Sequence, residues 1–363
     1  MIYNEIRKKT KKIPVGSTYI GGDSKIAIQS MTNTDTCDAE ATVNQIRALA
    51  DKGCDIVRIA VPTIEAAQTV KKIKEAGINI PVVADIHFDY KIALECVKNG
   101  IDKIRINPGN IGADYKVREV CAACSNAGIP IRIGVNSGSL EKNILEKYGS
   151  PTPDAMCESA LYHVSLLEKF GFYDTVISLK TSSVTDMIAA NRKLSALVDY
   201  PLHLGVTEAG SEINGIVKSS VGIGSLLCDG IGDTIRVSLT ADPLCEAAAA
   251  QRILTSIGIE GQSGMNVISC PTCGRTKIDL IPIVERFEKR AAEEGLLSYP
   301  LNVALMGCVV NGPGEAREAD IGIAGGVGEA VIISHGEIIG KISEGDIVET
   351  LIEKIKEIKK SKK

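Results

Sequence analysis

The sequence contains no Trp, and aromatic residues make up only 4% of its 363 residues. Modules that bind single-stranded nucleic acid use aromatic side chains as stacking platforms, so this scarcity argues against that class. The net charge of −4 at pH 7 supports the same exclusion, because no overall positive field attracts a polyanion. An anionic ligand must therefore be held by locally placed Arg and Lys side chains.

Long apolar runs are also missing. No stretch approaches the roughly 18 apolar residues that suggest a membrane-spanning helix. Residues 1–16 lack the apolar core of a signal peptide. These absences predict a cytoplasmic protein that does not enter a membrane.

Cysteine is abundant, with 11 residues, but a reducing cytoplasm argues against a disulfide framework. Several isolated cysteines lie in apolar helical patterns and are interpreted as small buried hydrophobic residues. These are Cys54, Cys96, Cys157, Cys228 and Cys245. The pair Cys121 and Cys124 also lies in a helical pattern, which favours helix packing over a ligand role.

Short β-branched runs alternate with longer amphipathic stretches over the first two thirds of the chain. The predicted strands lie near 25–30, 56–61, 81–86, 102–107, 129–135, 175–180, 201–207 and 233–239. Several of the helical stretches between them end in Gly, as helix C-termini prefer. Eight such units in about 250 residues predict a (β/α)8 TIM barrel, and a doubly wound open sheet is the alternative.

The alternation of short strands and longer helices ends in a Gly-rich stretch near residue 260. We predict a barrel domain over 1–258, a linker over 259–265 and a small α+β domain over 266–363. Within the second domain, the segment EAVIISHGEIIGKIS predicts a hairpin that turns at His335, Gly336 and Glu337.

Polar side chains cluster where the predicted barrel strands end, which is the active-site face of such barrels. The set comprises Arg58, Asp85, His87, Arg105, Asn107, Arg132, Asn136, Lys180, Glu208, Arg236 and Ser238. A single Arg at a strand end is as readily a partner in a salt bridge. Five cations at one barrel mouth would repel one another, however, so together they predict an anionic ligand such as a diphosphate.

The second domain carries a C-x-x-C turn, Cys270 to Cys273, and a further Cys308 in a Gly/Pro-rich segment. Three interpretations fit this spacing. The first is a structural zinc site with His335 as the fourth ligand, and the second is a redox-active C-x-x-C. The third is an iron–sulfur cluster with three thiolate ligands and one weaker ligand, with Glu315 or Glu318 as the nearest carboxylates.

The motifs CPTCGR, GCVVNGPGEA and ADIGIAGG resemble the cluster domain of the 4-hydroxy-3-methylbut-2-en-1-yl diphosphate synthase family of isoprenoid biosynthesis. The barrel segments IQSMTNTDT, ADIHFDY, KIRINPGNIG, RIGVNSGSL, SLKTSSV, LGVTEAG and DGIGDTIRVSLT resemble the same family. The resemblance covers nearly the whole chain and corresponds to the short bacterial form, without an additional domain.

This resemblance implies a role for each matching residue. A [4Fe–4S] cluster would be held by Cys270, Cys273 and Cys308, with Glu315 as the fourth, displaceable ligand. The diphosphate would be bound by Arg58, Arg105, Arg132, Lys180, Arg236 and Ser238. The reacting end would be lined by Asp85, His87, Asn136 and Glu208, with Glu208 transferring a proton.

The implied reaction is the reductive ring opening of 2-C-methyl-D-erythritol 2,4-cyclodiphosphate to 4-hydroxy-3-methylbut-2-enyl diphosphate and water. The implied electron donor is flavodoxin or ferredoxin. The implied assembly is a homodimer in which the cluster domain of one subunit caps the barrel of the other. A rival interpretation is a non-redox barrel lyase or transferase with a structural zinc domain, which would be colourless and active in air.

Overall fold

The computed structural model describes residues 5–259, 264–310 and 312–361, without the side chains of residues 312, 313 and 315. The chain divides into two compact units, Met1–Ile257 and Gly258–Lys363, which are described separately. Residues 260–263 of the predicted linker lie outside the described residues. In the described part of the chain, no helix combines the length and apolar character needed to cross a membrane.

The first unit begins with a short antiparallel hairpin, β1 (Ile13–Val15) and β2 (Thr18–Ile20). Its apolar side chains Ile13, Val15 and Ile20 are buried in one cluster with residues from the first part of several barrel strands. The hairpin therefore covers the amino-terminal end of the barrel.

Eight parallel strands form the barrel itself. They are β3 (Ala27–Met31), β4 (Ile56–Ala60), β5 (Val82–Asp85), β6 (Lys103–Ile106), β7 (Ile131–Asn136), β8 (Thr175–Lys180), β9 (His203–Leu204) and β10 (Thr234–Ile235). Neighbouring strands pair in chain order, and β10 also pairs with β3. A parallel bridge between Ile177 and Leu202 closes the ring between β8 and β9. The predicted TIM barrel is confirmed, and the open-sheet alternative is wrong.

Helices surround the barrel, and most begin where a Ser, Thr, Asp or Asn side chain accepts a hydrogen bond from a free backbone N–H. They span Ala39–Asp51, Ile64–Glu75, Tyr90–Lys98, Pro108–Ile111, Asp114–Ala127, Lys142–Tyr148, Pro153–Lys169, Val184–Leu197, Glu212–Cys228 and Pro243–Ser256. The N-cap of Pro108–Ile111 is Asn107, whose side chain accepts from the N–H of Gly109 at 3.1 Å. Asn107 is therefore a structural residue of the loop after β6.

The second unit is built on one five-stranded mixed sheet. Its strands are β11 (Asn266–Ser269), β12 (Asn302–Met306), β13 (Ile321–Gly325), β14 (Glu329–Ser334) and β15 (Glu337–Ser343). The first three strands run parallel and the last three antiparallel, in chain order. His335 and Gly336 form the β14–β15 turn with positive φ angles of 47° and 84°, which confirms the predicted hairpin. Glu337, predicted to lie in the turn, is the first residue of β15 and pairs with Ser334.

Helices pack on both faces of this sheet. Leu280–Glu293 and Ile347–Ser361 cover one face and bury Phe287 and Leu351 in the larger core. The short helix Gly312–Arg317 packs on the other face through Ala316. The predicted small α+β unit is confirmed.

The isolated cysteines follow the prediction only in part. Cys54, Cys96 and Cys157 are buried, and so are Cys121 and Cys124 in their helix. The prediction is wrong for Cys228, which is exposed because it is the last residue of the helix Glu212–Cys228 and follows its buried Leu226 and Leu227. Cys245 is only half-buried, in the first turn of the helix Pro243–Ser256.

Candidate active site

A polar cavity of about 110 Å³ lies at the carboxyl end of the barrel strands. It is lined by Arg58, Asp85, His87, Arg105, Arg132, Asn136, Ser178, Lys180, Thr207, Arg236 and Ser238. All five cations predicted at the barrel mouth thus line the same cavity. Ser178 and Thr207 were missed. Ser178 lies two residues before Lys180 and so shares its face of β8, a signal that was available, whereas Thr207 has no predicted residue at that spacing.

Arg132 differs from its prediction in position. It is the second residue of β7 and not a strand-end residue, and it is 1% exposed. It still faces the cavity from within the barrel, four residues before Asn136 at the end of the same strand. The cavity is therefore a deep recess into the barrel interior.

Asp85 is the central anion of the cavity. Its Oδ1 accepts a hydrogen bond from Arg105 Nη1 at 3.0 Å, and its Oδ2 lies 3.6 Å from both Arg58 Nε and His87 Nε2. Burial alone would raise the pKa of Asp85, but Arg58, His87, Arg105 and Arg132 hold it well below its usual value. Asp85 is thus an ionised carboxylate that orients two guanidinium groups and one imidazole.

A second carboxylate, Glu246, supports Arg236 from the surrounding helix Pro243–Ser256. Its two oxygens lie 3.3 Å from Arg236 Nε and 3.4 Å from Arg236 Nη2. They also accept from Ser30 Oγ at 2.8 Å and from the Leu239 N–H at 3.1 Å. Glu246 holds the guanidinium in place without lining the cavity, a role that the sequence analysis missed.

Positive charge nevertheless predominates. The five cations of the cavity face only two carboxylates, those of Asp85 and Glu246, among the described neighbours. Burial, followed by repulsion from neighbouring cations, lowers the pKa of Lys180 and of Arg132 well below their usual values. An anion entering the cavity would relieve this repulsion, so the site is suited to a phosphorylated ligand.

Two glycines make room for the cations. A Cβ atom on Gly134 of β7 would lie 2.4 Å from Arg105 Nε. A Cβ atom on Gly205 would lie 2.6 Å from Lys180 Nζ and 2.5 Å from the Arg236 carbonyl oxygen. Since side-chain atoms cannot approach so closely, the positions of Arg105 and Lys180 depend on the absence of a side chain at these two sites.

Glu208 lies beyond the lining of the cavity, on the loop after β9. It is exposed, and its backbone adopts a positive φ of 52°. Non-glycine residues rarely adopt this conformation, and when they do, the strain is often found at functional sites. The structure therefore places this predicted catalytic residue on the loop at the barrel mouth, directly after the lining residue Thr207 but not in the lining itself.

In the second unit, Cys270 and Cys308 follow neighbouring parallel strands, β11 and β12. The Gly307 N–H donates to Cys270 Sγ at 3.3 Å, which brings the two cysteine turns together. The Lys277 N–H donates to the Gly307 carbonyl at 2.8 Å and so ties the end of the C-x-x-C turn to the same point.

Cys273 is exposed at the tip of the first turn. Its backbone N–H donates to Thr276 Oγ1 at 3.1 Å. Hydrogen bonds from the backbone and side chain of Arg275 lower the pKa of its thiol, which favours the thiolate form that binds metals. Three soft sulfur ligands on two adjoining turns, with an N–H donor to one sulfur, suit an iron–sulfur cluster or zinc.

The described residues do not include a complete ligand set. Among the described residues, no group of three or more His, Cys, Asp or Glu side chains is close enough to hold a metal ion. Glu315 belongs to the helix Gly312–Arg317, but its side chain lies outside the described residues. Its ligand role therefore stays a prediction.

The alternative with His335 as a zinc ligand is not supported by the topology. The His335 N–H donates to the carbonyl of Asp320, which precedes β13. Cys270 and Cys308 follow the carboxyl ends of β11 and β12, which run parallel to β13. Because β14 runs antiparallel to β13, His335 lies at the opposite end of the strands from the cysteines.

The fold and the site together define a class: a TIM barrel with a basic recess for an anionic ligand, followed in the chain by a second unit that carries three cysteines on two adjoining turns. The GcpE TIM-barrel domain model matches residues 10–251, and the GcpE protein C-terminal domain model matches residues 266–357. The chain belongs to the GcpE family.

Similar curated proteins carry the name 4-hydroxy-3-methylbut-2-en-1-yl diphosphate synthase (flavodoxin). The protein from Clostridium perfringens is 58% identical over 97% of this chain and 99% of its own length. The protein from Clostridium tetani is 58% identical over the same shares. The protein from Caldanaerobacter subterraneus is 56% identical over 98% of this chain and 99% of its own length. The family assignment made from the sequence motifs is confirmed.

Proposed function

We propose that the protein is an iron–sulfur oxidoreductase that opens the ring of 2-C-methyl-D-erythritol 2,4-cyclodiphosphate. The product is 4-hydroxy-3-methylbut-2-enyl diphosphate. The reaction consumes two electrons and one proton, releases one water and adds one negative charge to the diphosphate. The observation that carries this proposal is the recess lined by Arg58, Arg105, Arg132, Lys180 and Arg236, in a chain of this family.

The proposed role of the recess is to bind and orient the diphosphate. Arg side chains supply planar pairs of donors that match phosphate oxygens, and Ser238 adds a hydroxyl at the rim. The leaving diphosphate oxygen gains charge as the ring opens, so these cations stabilise the transition state more than the bound substrate. Asp85 keeps Arg58, Arg105 and His87 in place during this change.

The proposed proton-transfer group is Glu208, with Asn136 and His87 lining the reacting end. The His87 side chain is half-exposed and lies beside Asp85, so it can approach a ligand from the open side of the recess. Glu208 has a strained backbone conformation and directly follows Thr207 of the cavity lining, which places it at the mouth of the recess.

The proposed cofactor is a [4Fe–4S] cluster held by Cys270, Cys273 and Cys308, with Glu315 as the fourth ligand. When bound, the cluster supplies the two electrons singly, and flavodoxin is the proposed donor because the related proteins carry it in their names. The Gly307 N–H that donates to Cys270 is the kind of contact that tunes an iron–sulfur centre.

The proposed domain limits are 1–258 and 266–363 with the linker 259–265. The proposed assembly is a homodimer in which each cluster domain serves the barrel of the partner subunit. The proposed location is the cytoplasm, where the free cysteines of this chain stay reduced.

The test begins with anaerobically purified protein, which we expect to be brown and to contain iron and acid-labile sulfide. Cys308→Ser should lose iron and turnover, whereas Glu315→Ala should keep the cluster and lose most turnover. Cys228→Ser is the matched control, because Cys228 is an exposed thiol in the other unit and should be dispensable. Stoichiometric zinc without iron, or full turnover in Cys308→Ser, would overturn the proposal in favour of the zinc-containing lyase.

A further inference from the structure

Lys103 is a buried lysine that the proposed chemistry does not yet use. It is the first residue of β6 and is 0% exposed. Its Nζ has no hydrogen-bond partner among the described residues. A fully buried, unpartnered amine is unfavourable for folding, so its presence calls for a functional explanation.

The strand geometry places Lys103 below the recess. Alternate residues of a strand face the same side, so Lys103 and Arg105 both point into the barrel. At roughly 3.3 Å per residue, Lys103 lies about 7 Å deeper than Arg105, which lines the recess. Arg105 pairs in register with Arg132 of β7, the most buried guanidinium of the lining.

The charged groups acting on Lys103 are cations. Burial, and then repulsion from Arg132 on β7 and Arg58 on β4, lowers the pKa of Lys103 well below its usual value. His203 on β9 also faces this layer, and burial with the same cations keeps its pKa well below the usual value too. No carboxylate offsets these effects at Lys103 in the described chain.

We infer that Lys103 is the innermost cation of the ligand site and takes up a proton when the diphosphate binds above it. The inference rests on the proposed function, because the negative charge of that ligand would offset the repulsion from the neighbouring cations and favour the protonated amine of Lys103. Lys103 acts through the electrostatic potential of the recess and through Arg132, without touching the ligand. It is therefore a positioning residue, and it couples ligand binding to proton uptake.

A structural role and this role predict opposite effects of Lys103→Met, which removes the charge and keeps the length of the side chain. If Lys103 serves the ligand, the ligand-free variant should melt higher, by about 2 °C or more, because an unfavourable buried amine is gone. The cyclic diphosphate should bind on the order of tenfold more weakly, because one cation near the ligand is lost. The value of kcat should change little.

The experiment is anaerobic calorimetry of 2-C-methyl-D-erythritol 2,4-cyclodiphosphate binding to the full holoenzyme, in buffers of different ionisation enthalpy. Wild type should take up protons on binding, and Lys103→Met should take up fewer, since Lys180 still contributes.

Thr175→Val is the matched control, because Thr175 Oγ1 is likewise buried and unpartnered in the described structure. Thr175→Val should bind the cyclic diphosphate with the affinity of wild type and take up the same number of protons on binding.

The outcomes distinguish a failure of the proposed function from a failure of the role of Lys103. If wild type does not bind the cyclic diphosphate, the proposed function fails. If wild type binds but Lys103→Met binds equally well with the same proton uptake, the inference about Lys103 is wrong. A loss of thermal stability in ligand-free Lys103→Met would likewise overturn it, because that result indicates a structural lysine.

Discussion

Gly134 offers a way to move one cation of the recess without removing it. In Gly134→Ala the new Cβ would lie 2.4 Å from Arg105 Nε and 2.7 Å from Arg105 Nη2. Because these atoms belong to the end of a flexible side chain, Arg105 can turn aside and the strand can stay in place. The variant therefore keeps the net charge of the barrel and changes only the position of one guanidinium.

Hydrogen bonds to Asp85 Oδ1 at 3.0 Å and to the Gly134 carbonyl at 3.4 Å fix the present position of Arg105. A displaced Arg105 would no longer make its charge-assisted hydrogen bond to the diphosphate, and the loss of that bond sets the size of the effect on binding. A hydrogen bond involving a charged group contributes about 1.5–3 kcal/mol, which corresponds to roughly 10- to 150-fold in an equilibrium constant. We expect the KM and the Kd for the cyclic diphosphate to rise by this factor, while the melting temperature falls by a few degrees at most.

The matched control is Gly138→Ala. Gly138 lies in the 3₁₀ turn Ser137–Ser139 directly after β7, and a Cβ there would meet no atom within 4 Å. Anaerobic turnover assays and calorimetry on both variants give the comparison. If Gly134→Ala binds ligand as tightly as Gly138→Ala and wild type, Arg105 does not depend on the glycine and contributes little to binding.

Two further predictions follow from the same geometry. Asp85→Asn should lower the free energy of unfolding by about 3–5 kcal/mol at neutral pH, because it leaves two guanidinium groups uncompensated. The Asp85 pKa is depressed in the folded protein, so the contribution of Asp85 to the free energy of unfolding is complete above about pH 4 and is lost as pH falls through the folded pKa. Urea unfolding at several pH values should show that the difference in free energy between variant and wild type shrinks in acid. A difference that stays constant with pH would contradict this. Co-expressed Lys180→Met and Cys308→Ser subunits should regain part of the wild-type turnover that neither variant has alone, since mixed dimers would contain one intact barrel opposite one intact cluster domain; an inactive mixture would contradict the proposed capping arrangement.

The barrel was predictable because its strands and helices have strong local signals. The strand predicted over 175–180 is found at Thr175–Lys180, since its β-branched residues are buried and both ends are marked by polar residues. The hairpin of Ile13–Val15 and Thr18–Ile20 was not predicted. Strands of three residues are too short to show alternation, and this hairpin is stabilised by packing on the barrel instead.

The cations of the recess were predictable as a group, whereas their supporting residues were not. Lys103 and Glu246 belong to residue types that are normally exposed, and composition gives no reason to place them inside. The alternation of Lys103 and Arg105 in KIRI was an available signal for the lysine. Glu246 had no such signal, because its inward direction depends on contacts with Ser30 and Arg236 far away in the sequence.

The hairpin that covers the amino-terminal end of the barrel also determines how ligands travel. Because Ile13, Val15 and Ile20 pack against the amino-terminal ends of the strands, that end of the described barrel is closed by apolar side chains. Substrate must then enter, and product must leave, on the side where the recess opens. Substrate and product therefore use the same opening, so slow release of product would block the binding of the next substrate molecule.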